Sequence, residues 1–211
     1  RSLNTSNDTL GTERTVSTSL VKFNHDRSHP VITKTTDNDL FIAAGGDSAQ
    51  DVFRSADSGS SWSSTSATFL DSYEDTMTLM PLTSGDLMLI WQDWSAGELK
   101  SRLRPNSTGT WDGSDTSIVT GLDFTTSNAY NHRTAWSATV NKSTNDVHLV
   151  INDGPNLSST IQSFLYDESA GSWSATTSVA TEATDILGEA KVSIDEETGN
   201  TYAIYTKGPH H

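Results

Sequence analysis

The chain has 211 residues, with 27 Asp and Glu against 13 Lys and Arg, a formal net charge of −14 when His is neutral. That balance argues against nucleic acid as a partner, since such binding rests mainly on neutralising phosphates, and against an anionic membrane surface for the same reason. There is no Cys to form a disulfide, the 33% hydrophobic residues and six Trp allow a modest core, and the longest apolar runs, such as Leu87 to Trp91, fall far short of the roughly 18 residues of a membrane span.

No window sustains a helical apolar period, so the chain reads as short strands joined by polar turns. The segment 1–23 opens it, and the alternation from Thr12 to Phe23 suits a closing strand. Residues 24–70 form the first of four similar units. It runs from the polar cluster His25-Asp26-Arg27-Ser28-His29 through a strand at 30–35, the turn Thr36-Asp37-Asn38-Asp39, strands at 40–44 and 51–56, and then Trp62. In residues 71–126 the cluster is Asp71-Ser72-Tyr73-Glu74-Asp75, strands follow at 76–82, 87–91 and 98–104, and Trp111 closes. Residues 127–183 repeat this with Tyr130-Asn131-His132-Arg133, strands at 134–140, 147–151 and 160–166, and Trp173. A fourth, partial unit spans 184–211, with Asp185 to Glu189 as its cluster and strands at 190–194 and 201–205. The acidic stretch Glu182 to Glu189 is the one place where a single helical turn is admissible.

From the turn Asp to the closing Trp the spacing is 23, 25 and 27 residues in the first three units, as expected for fixed strands joined by loops of varying length. A repeat of roughly 40 to 60 residues with four strands is the pattern of a propeller blade, whose small sheet cannot cover its own faces and must stack on its neighbours. Closed propellers have about four to eight blades, so three and a half imply a fragment or one segment of a larger assembly.

One turn carries a sharper pattern. In Ser55-Ala56-Asp57-Ser58-Gly59-Ser60-Ser61-Trp62, Asp57 can accept from backbone N–H groups of the turn and Gly59 supplies a positive φ, with Trp62 folding back over the hairpin. This S-x-D-x-G-x-x-W pattern resembles the Asp-box, or bacterial neuraminidase repeat, of sialidase-type β-propellers. Asn106 to Trp111 and Asp167 to Trp173 are degenerate versions of it.

In a propeller the residues just ahead of each innermost strand converge on one funnel. Here these are Arg27 and His29, Tyr73 and Asp75, Tyr130, His132 and Arg133, and Glu189. Two guanidinium groups hold a carboxylate bidentately, as a lone Lys cannot. Trp91, Trp94 and Trp136 are candidates for stacking on sugar faces, each with core packing as the alternative. The leading expectation is recognition of an anionic glycan by an extracellular, cell-surface or virion-surface module, partnered by the remaining blades of a larger chain or assembly.

Residues 25–175 also resemble the Asp-box propellers that include ulvan-type polysaccharide lyases, in Ser127 to Arg133 leading to Asp146 to Val150, and in His29 to Ile32 leading to Asp39 to Ile42. That resemblance implies β-elimination, with an Arg stabilising the enolate-like charge and Tyr130, His132 and Arg133 as the catalytic candidates. The His of such lyases aligns cleanly with neither His25 nor His29. Sialidase chemistry would conscript Arg27, Arg133, Tyr130, Glu189 and Asp75, but the opening Arg-Ile-Pro motif is missing. A structural segment for protein association is a further alternative. No cofactor is assigned; Asp37-Asn38-Asp39 offers oxygens to calcium, and such turns more often serve as solvated hairpin turns.

Overall fold

A computed structural model describes residues 3–4, 9–10, 12–17, 30–46, 49–67, 69–70, 76–93, 95–122, 136–152, 160–174, 177–181 and 185–209. A short hairpin, β1 (Leu3–Asn4) with β2 (Thr9–Leu10), precedes the repeats. The first sheet runs β3 (Val31–Lys34), β4 (Leu40–Gly46), β5 (Ala49–Ser55) and β6 (Ser63–Ser64) in antiparallel order. The second has β7 (Met77–Pro81), β8 (Leu87–Asp93), β9 (Glu98–Arg104) and β10 (Thr116–Val119). In the third, β11 (Trp136–Val140) and β12 (Val147–Asn152) lead to β13 (Thr160–Asp167), whose far edge pairs with both β14 (Ser172–Trp173) and β15 (Thr177–Thr181). The last is a hairpin of β16 (Asp185–Ile194) and β17 (Thr201–Pro209).

The sheets stack side by side: β3 lies beside β7, β7 beside β11, and β11 beside β16. Each sheet is too small to cover its own faces, so the core forms between sheets rather than within one. Side chains alternate across a strand. In β8, Leu87, Leu89 and Trp91 join Phe41, Ala43 and Val52 of the first sheet, while Met88 and Ile90 join Trp136, Leu149 and Ile151 of the third. All seven residues of β8 are buried, which explains its continuous apolar run. The next junction is smaller, with Val150 and Ile161 packed on Leu187, Ala190 and Val192.

The turn joining the first two strands of each repeat is built alike. Thr35, Leu82, Asn141 and Asp195 donate their N–H groups to the carbonyls of Asp39, Asp86, Asp146 and Asn200 at 2.8–2.9 Å. The residue before each acceptor has positive φ, namely Asn38, Gly85, Asn145 and Gly199, and these are residue types that tolerate that region.

The four-stranded antiparallel sheets agree with the expected all-β architecture, the third carrying a fifth strand. Three sequence expectations need correction. Thr12 to Ser17, the described half of the proposed closing strand, is not a strand. The segment from Asp185 is strand rather than a helical turn, because it pairs with β17 out to Pro209. Glu189 therefore falls inside β16, where the register shifts between Leu187 and Ala190, instead of ahead of the strand.

Candidate functional site

Contacts between neighbouring hairpin turns fix which end of the array is which. Thr36 Oγ1 lies 3.2 Å from where a Cβ on Gly85 would stand, joining the first and second turns. Asn145 Oδ1 accepts from the backbone N–H of Thr83 at 2.6 Å, joining the second and third. Lys142 pairs with Glu196 at 2.5 Å, joining the third and fourth. With all four turns at one end, the first residues of the inner strands, Val31, Met77, Trp136 and Asp185, share the opposite end.

The sequence candidates stand in relation to that end as follows. Arg27, His29, Tyr73, Asp75, Trp94, Tyr130, His132 and Arg133 lie outside the described residues, and of Glu189 only the backbone is described. Arg27 and His29 lead into β3, Tyr73 and Asp75 into β7, and Tyr130, His132 and Arg133 into β11.

Among the described residues at the same end, the corner between β8 and β9 is the most heavily tied. Lys100 Nζ bonds Asp93 Oδ2 at 2.5 Å and lies 3.5 Å from Glu98. Asp93 Oδ1 also accepts from Ser95 Oγ and the Ala96 N–H, both at 2.9 Å. Burial pushes the Asp93 carboxyl up, but the hydrogen bonds from Lys100, Ala96 and Ser95 and the Lys100 charge outweigh it and hold it below the usual range. Lys100 is pushed down by burial and raised further by Asp93 and Glu98. The ion pair thus braces a corner that the sequence reading did not single out, although both of its strands were read; an Asp ahead of a Ser-Ala-Gly turn was its signal.

Gly97 in that corner has φ 65°, and a Cβ there would come within 2.6 Å of the Leu122 carbonyl oxygen. Leu122 also donates its N–H to the Gly97 carbonyl at 2.9 Å. Residues 123–135, including Tyr130, His132 and Arg133, follow directly from this tether.

Two proposed sugar-stacking residues are core residues instead. Trp91 is 1% and Trp136 8% exposed, because each sits between two sheets. Their indole N–H groups are buried without an acceptor among the described residues.

The Ser55–Trp62 turn lies at the hairpin-turn end. Asp57 Oδ1 accepts from Ser55 Oγ and the Ser61 N–H, each at 2.8 Å, and Oδ2 accepts from Ser61 Oγ at 2.6 Å. The Gly59 N–H reaches back to Ser55 Oγ at 2.8 Å. Gly59 has φ 86°, and Leu40 Cδ1 and Trp62 Cζ2 stand 3.6 and 3.8 Å from its Cβ position, so the indole does fold over the hairpin base. The turn is self-bonded and spends its polar groups on itself. The calcium candidates are similarly engaged: Asp37 accepts from Thr35 and Asp39 from Arg54.

No family model matches the sequence, nor does any curated protein. Solved structures do match. An ulvan lyase bound to a GlcA–Rha3S glycan superposes with a TM-score of 0.61 at 9% identity, over 87% of this chain and 52% of that one. An α-L-arabinofuranosidase from Fusarium graminearum superposes with 0.51 at 12% identity, over 82% and 54%. A leech intramolecular trans-sialidase with 2,7-anhydro-Neu5Ac gives 0.50 at 11%, over 82% and 26%. The fold is that of a β-propeller. The chain spans about half the length of the ulvan lyase and the arabinofuranosidase, and at these identities the likeness is one of fold.

Proposed function

We propose that this propeller segment recognises an anionic glycan at the end where its inner strands begin. The observation that carries this is the tying of the four hairpin turns at the other end. It supports convergence of the segments leading into β3, β7 and β11, which hold Arg27, His29, Tyr73, Asp75, Tyr130, His132 and Arg133. Two arginines in one concavity suit a carboxylate or sulfate, and the tyrosines suit sugar hydroxyls and faces. The site we propose is extracellular or displayed on a cell or virion surface.

An array of uronate, sulfated and sialylated glycans tests this reading. Retention is expected for at least one anionic class and is expected to fall at least tenfold in Arg133→Ala and in Tyr73→Ala. Binding that survives both together would place the site elsewhere. The superposition on the ulvan lyase favours a second reading, β-elimination at the same place. A lyase would raise ultraviolet absorbance on a uronate polysaccharide, and Tyr130→Phe would abolish the rise; flat traces across such substrates would leave recognition alone.

A further inference from the structure

Strand β9 carries three cations on one face. Lys100, Arg102 and Arg104 lie opposite Trp91, Leu89 and Leu87, which face the first sheet. Two of the three are matched: Lys100 by Asp93 and Glu98, and Arg102 by Asp115, with its guanidinium 3.8 Å over the Phe69 ring. Arg104 is the exception. It is 6% exposed, and its guanidinium carbon is 5.0 Å from the Phe41 ring centroid. Among the described residues its Nε has no acceptor and no carboxylate pairs with it.

The other sheets show what this position lacks. Ser55, Arg104 and Tyr166 are equivalent, each opposite the first residue of the second strand of its sheet, Leu40, Leu87 or Val147. In the first sheet the turn that follows has its own carboxylate, Asp57, two residues on, and it takes the Ser55 hydroxyl. In the third, Asp167 accepts from Ser169 Oγ at 2.7 Å and the Ala170 N–H at 3.0 Å. In the second, Asn106 stands two residues on, and residues 105–111 contain no Asp or Glu. The loops at this end of the first two sheets, residues 35–39, 56–62, 82–86 and 105–115, are described throughout.

The remaining charges nearby do not supply a counter-ion. Arg54, opposite Phe41, binds Asp39 through Nε and Nη2, so that carboxylate is taken. Asp37 is exposed and accepts from the Thr35 hydroxyl. Burial lowers the Arg104 pKa, the Arg54 charge adds to that, and Asp39 and Asp37 oppose it without reversing it. Arginine keeps its proton in proteins, so the charge is buried and costs stability unless an anion meets it. The way in is at Gly109, an exposed glycine whose Cβ position is 3.5 Å from Arg104 Nη2.

We propose that Arg104, with the half-exposed Arg54 at the rim, holds a small oxyanion, a carboxylate or sulfate, between the first and second sheets at the hairpin-turn end. A guanidinium meets such a group with two parallel N–H bonds, and the anion takes the place that Asp57 fills in the first turn. The site is separate from the proposed glycan site, which lies at the other end of the strands.

Thermal unfolding in sulfate or acetate, with chloride keeping the ionic strength constant, tests this. The unaltered protein is expected to show a saturating rise in melting temperature of about 2–4 °C with at least one of the two. Sulfate also stabilises proteins in general by its exclusion from their surface, so the comparison is with Arg104→Met, which keeps an apolar stem over Phe41 without the charge. The variant should lack the saturating part. In the unaltered protein the Arg104 Nε–H resonance should move with the same midpoint, a readout that holds whether or not the variant folds. An equal saturating rise in Arg104→Met, or a resonance unmoved by sulfate and acetate alike, would overturn the proposal.

Discussion

Trp173 donates its indole N–H to Ser101 Oγ at 2.9 Å, across the boundary between the third and second sheets. Trp111 repeats the relationship toward Thr65 at 3.0 Å, one sheet earlier. A tryptophan has both a large apolar body and one obligatory donor, so it can fill the groove between two sheets and fix their relative position. Trp173 packs its ring on Tyr166, with centroids 5.5 Å apart, while the N–H crosses to the neighbour.

The first prediction concerns that staple. Trp173→Phe removes the donor and leaves Ser101 without it, and Ser101→Ala removes the acceptor. Each is expected to lower stability, and a double-mutant cycle in urea should give a coupling of about 1 kcal/mol for the bond itself. Strict additivity of the two losses would mean that the indole bond contributes nothing.

A second prediction follows from the close approach at Gly97. An alanine there would have to hold a left-handed backbone, costing about 1–3 kcal/mol, and meet the Leu122 carbonyl at 2.6 Å. Gly97→Ala should lower the melting temperature and speed hydrogen exchange at the Leu122 amide, whose acceptor is the Gly97 carbonyl. Glycan retention should weaken with it, since the segment bearing Tyr130 and Arg133 leaves from this tether. Unchanged exchange at Leu122 would separate the two.

The first three strands of the repeats were legible because their apolar residues recur between turn signals; Glu98–Arg104 coincides residue for residue with β9. The fourth strands were not. In β10, Thr116 and Ser117 are exposed, so an edge strand with little core face leaves almost no periodicity to read. The bulge in β16 breaks alternation between Leu187 and Ala190, and in an acidic context that break imitates a helical turn. Trp91 and Trp136 show a different limit: a tryptophan near a strand end is buried or exposed according to the adjacent sheet, which its own strand does not encode. The segments ahead of the strands were legible in the sequence, but which end the strands share was not, because it is set by turn contacts such as Thr83 with Asn145, 62 residues apart.

The third prediction is an acid limit set by the self-bonded turn. Hydrogen bonds from the Ser61 hydroxyl, the Ser61 N–H and the Ser55 hydroxyl hold the Asp57 carboxyl down to about 2, against an ordinary value of 3.8. A depressed carboxyl binds fewer protons folded than unfolded, so its contribution is complete above the ordinary value and is lost as pH falls toward about 2. Asp57→Asn should therefore flatten the part of the acid stability profile between about pH 4 and 2, read by tryptophan fluorescence. An unaltered slope there would assign the acid limb to other carboxylates.

A fourth prediction concerns the smaller junction between the third and last sheets. His148 is half-buried in β12, with Nδ1 3.3 Å from Thr201 Oγ1 of β17. Burial pushes its pKa below 6.5, and the charge of Asp146 opposes that without reversing it. The folded state thus binds protons less readily than the unfolded one. The contribution is fully present above pH 6.5 and is lost as pH falls through the lowered folded value. Hydrogen exchange in β16 and β17 should accelerate on acidification below pH 6.5 while exchange in β8, buried on both faces, stays slow. His148→Gln cannot acquire the charge and should remove most of that pH dependence. If exchange in β17 accelerates equally in the variant, the proton acts elsewhere.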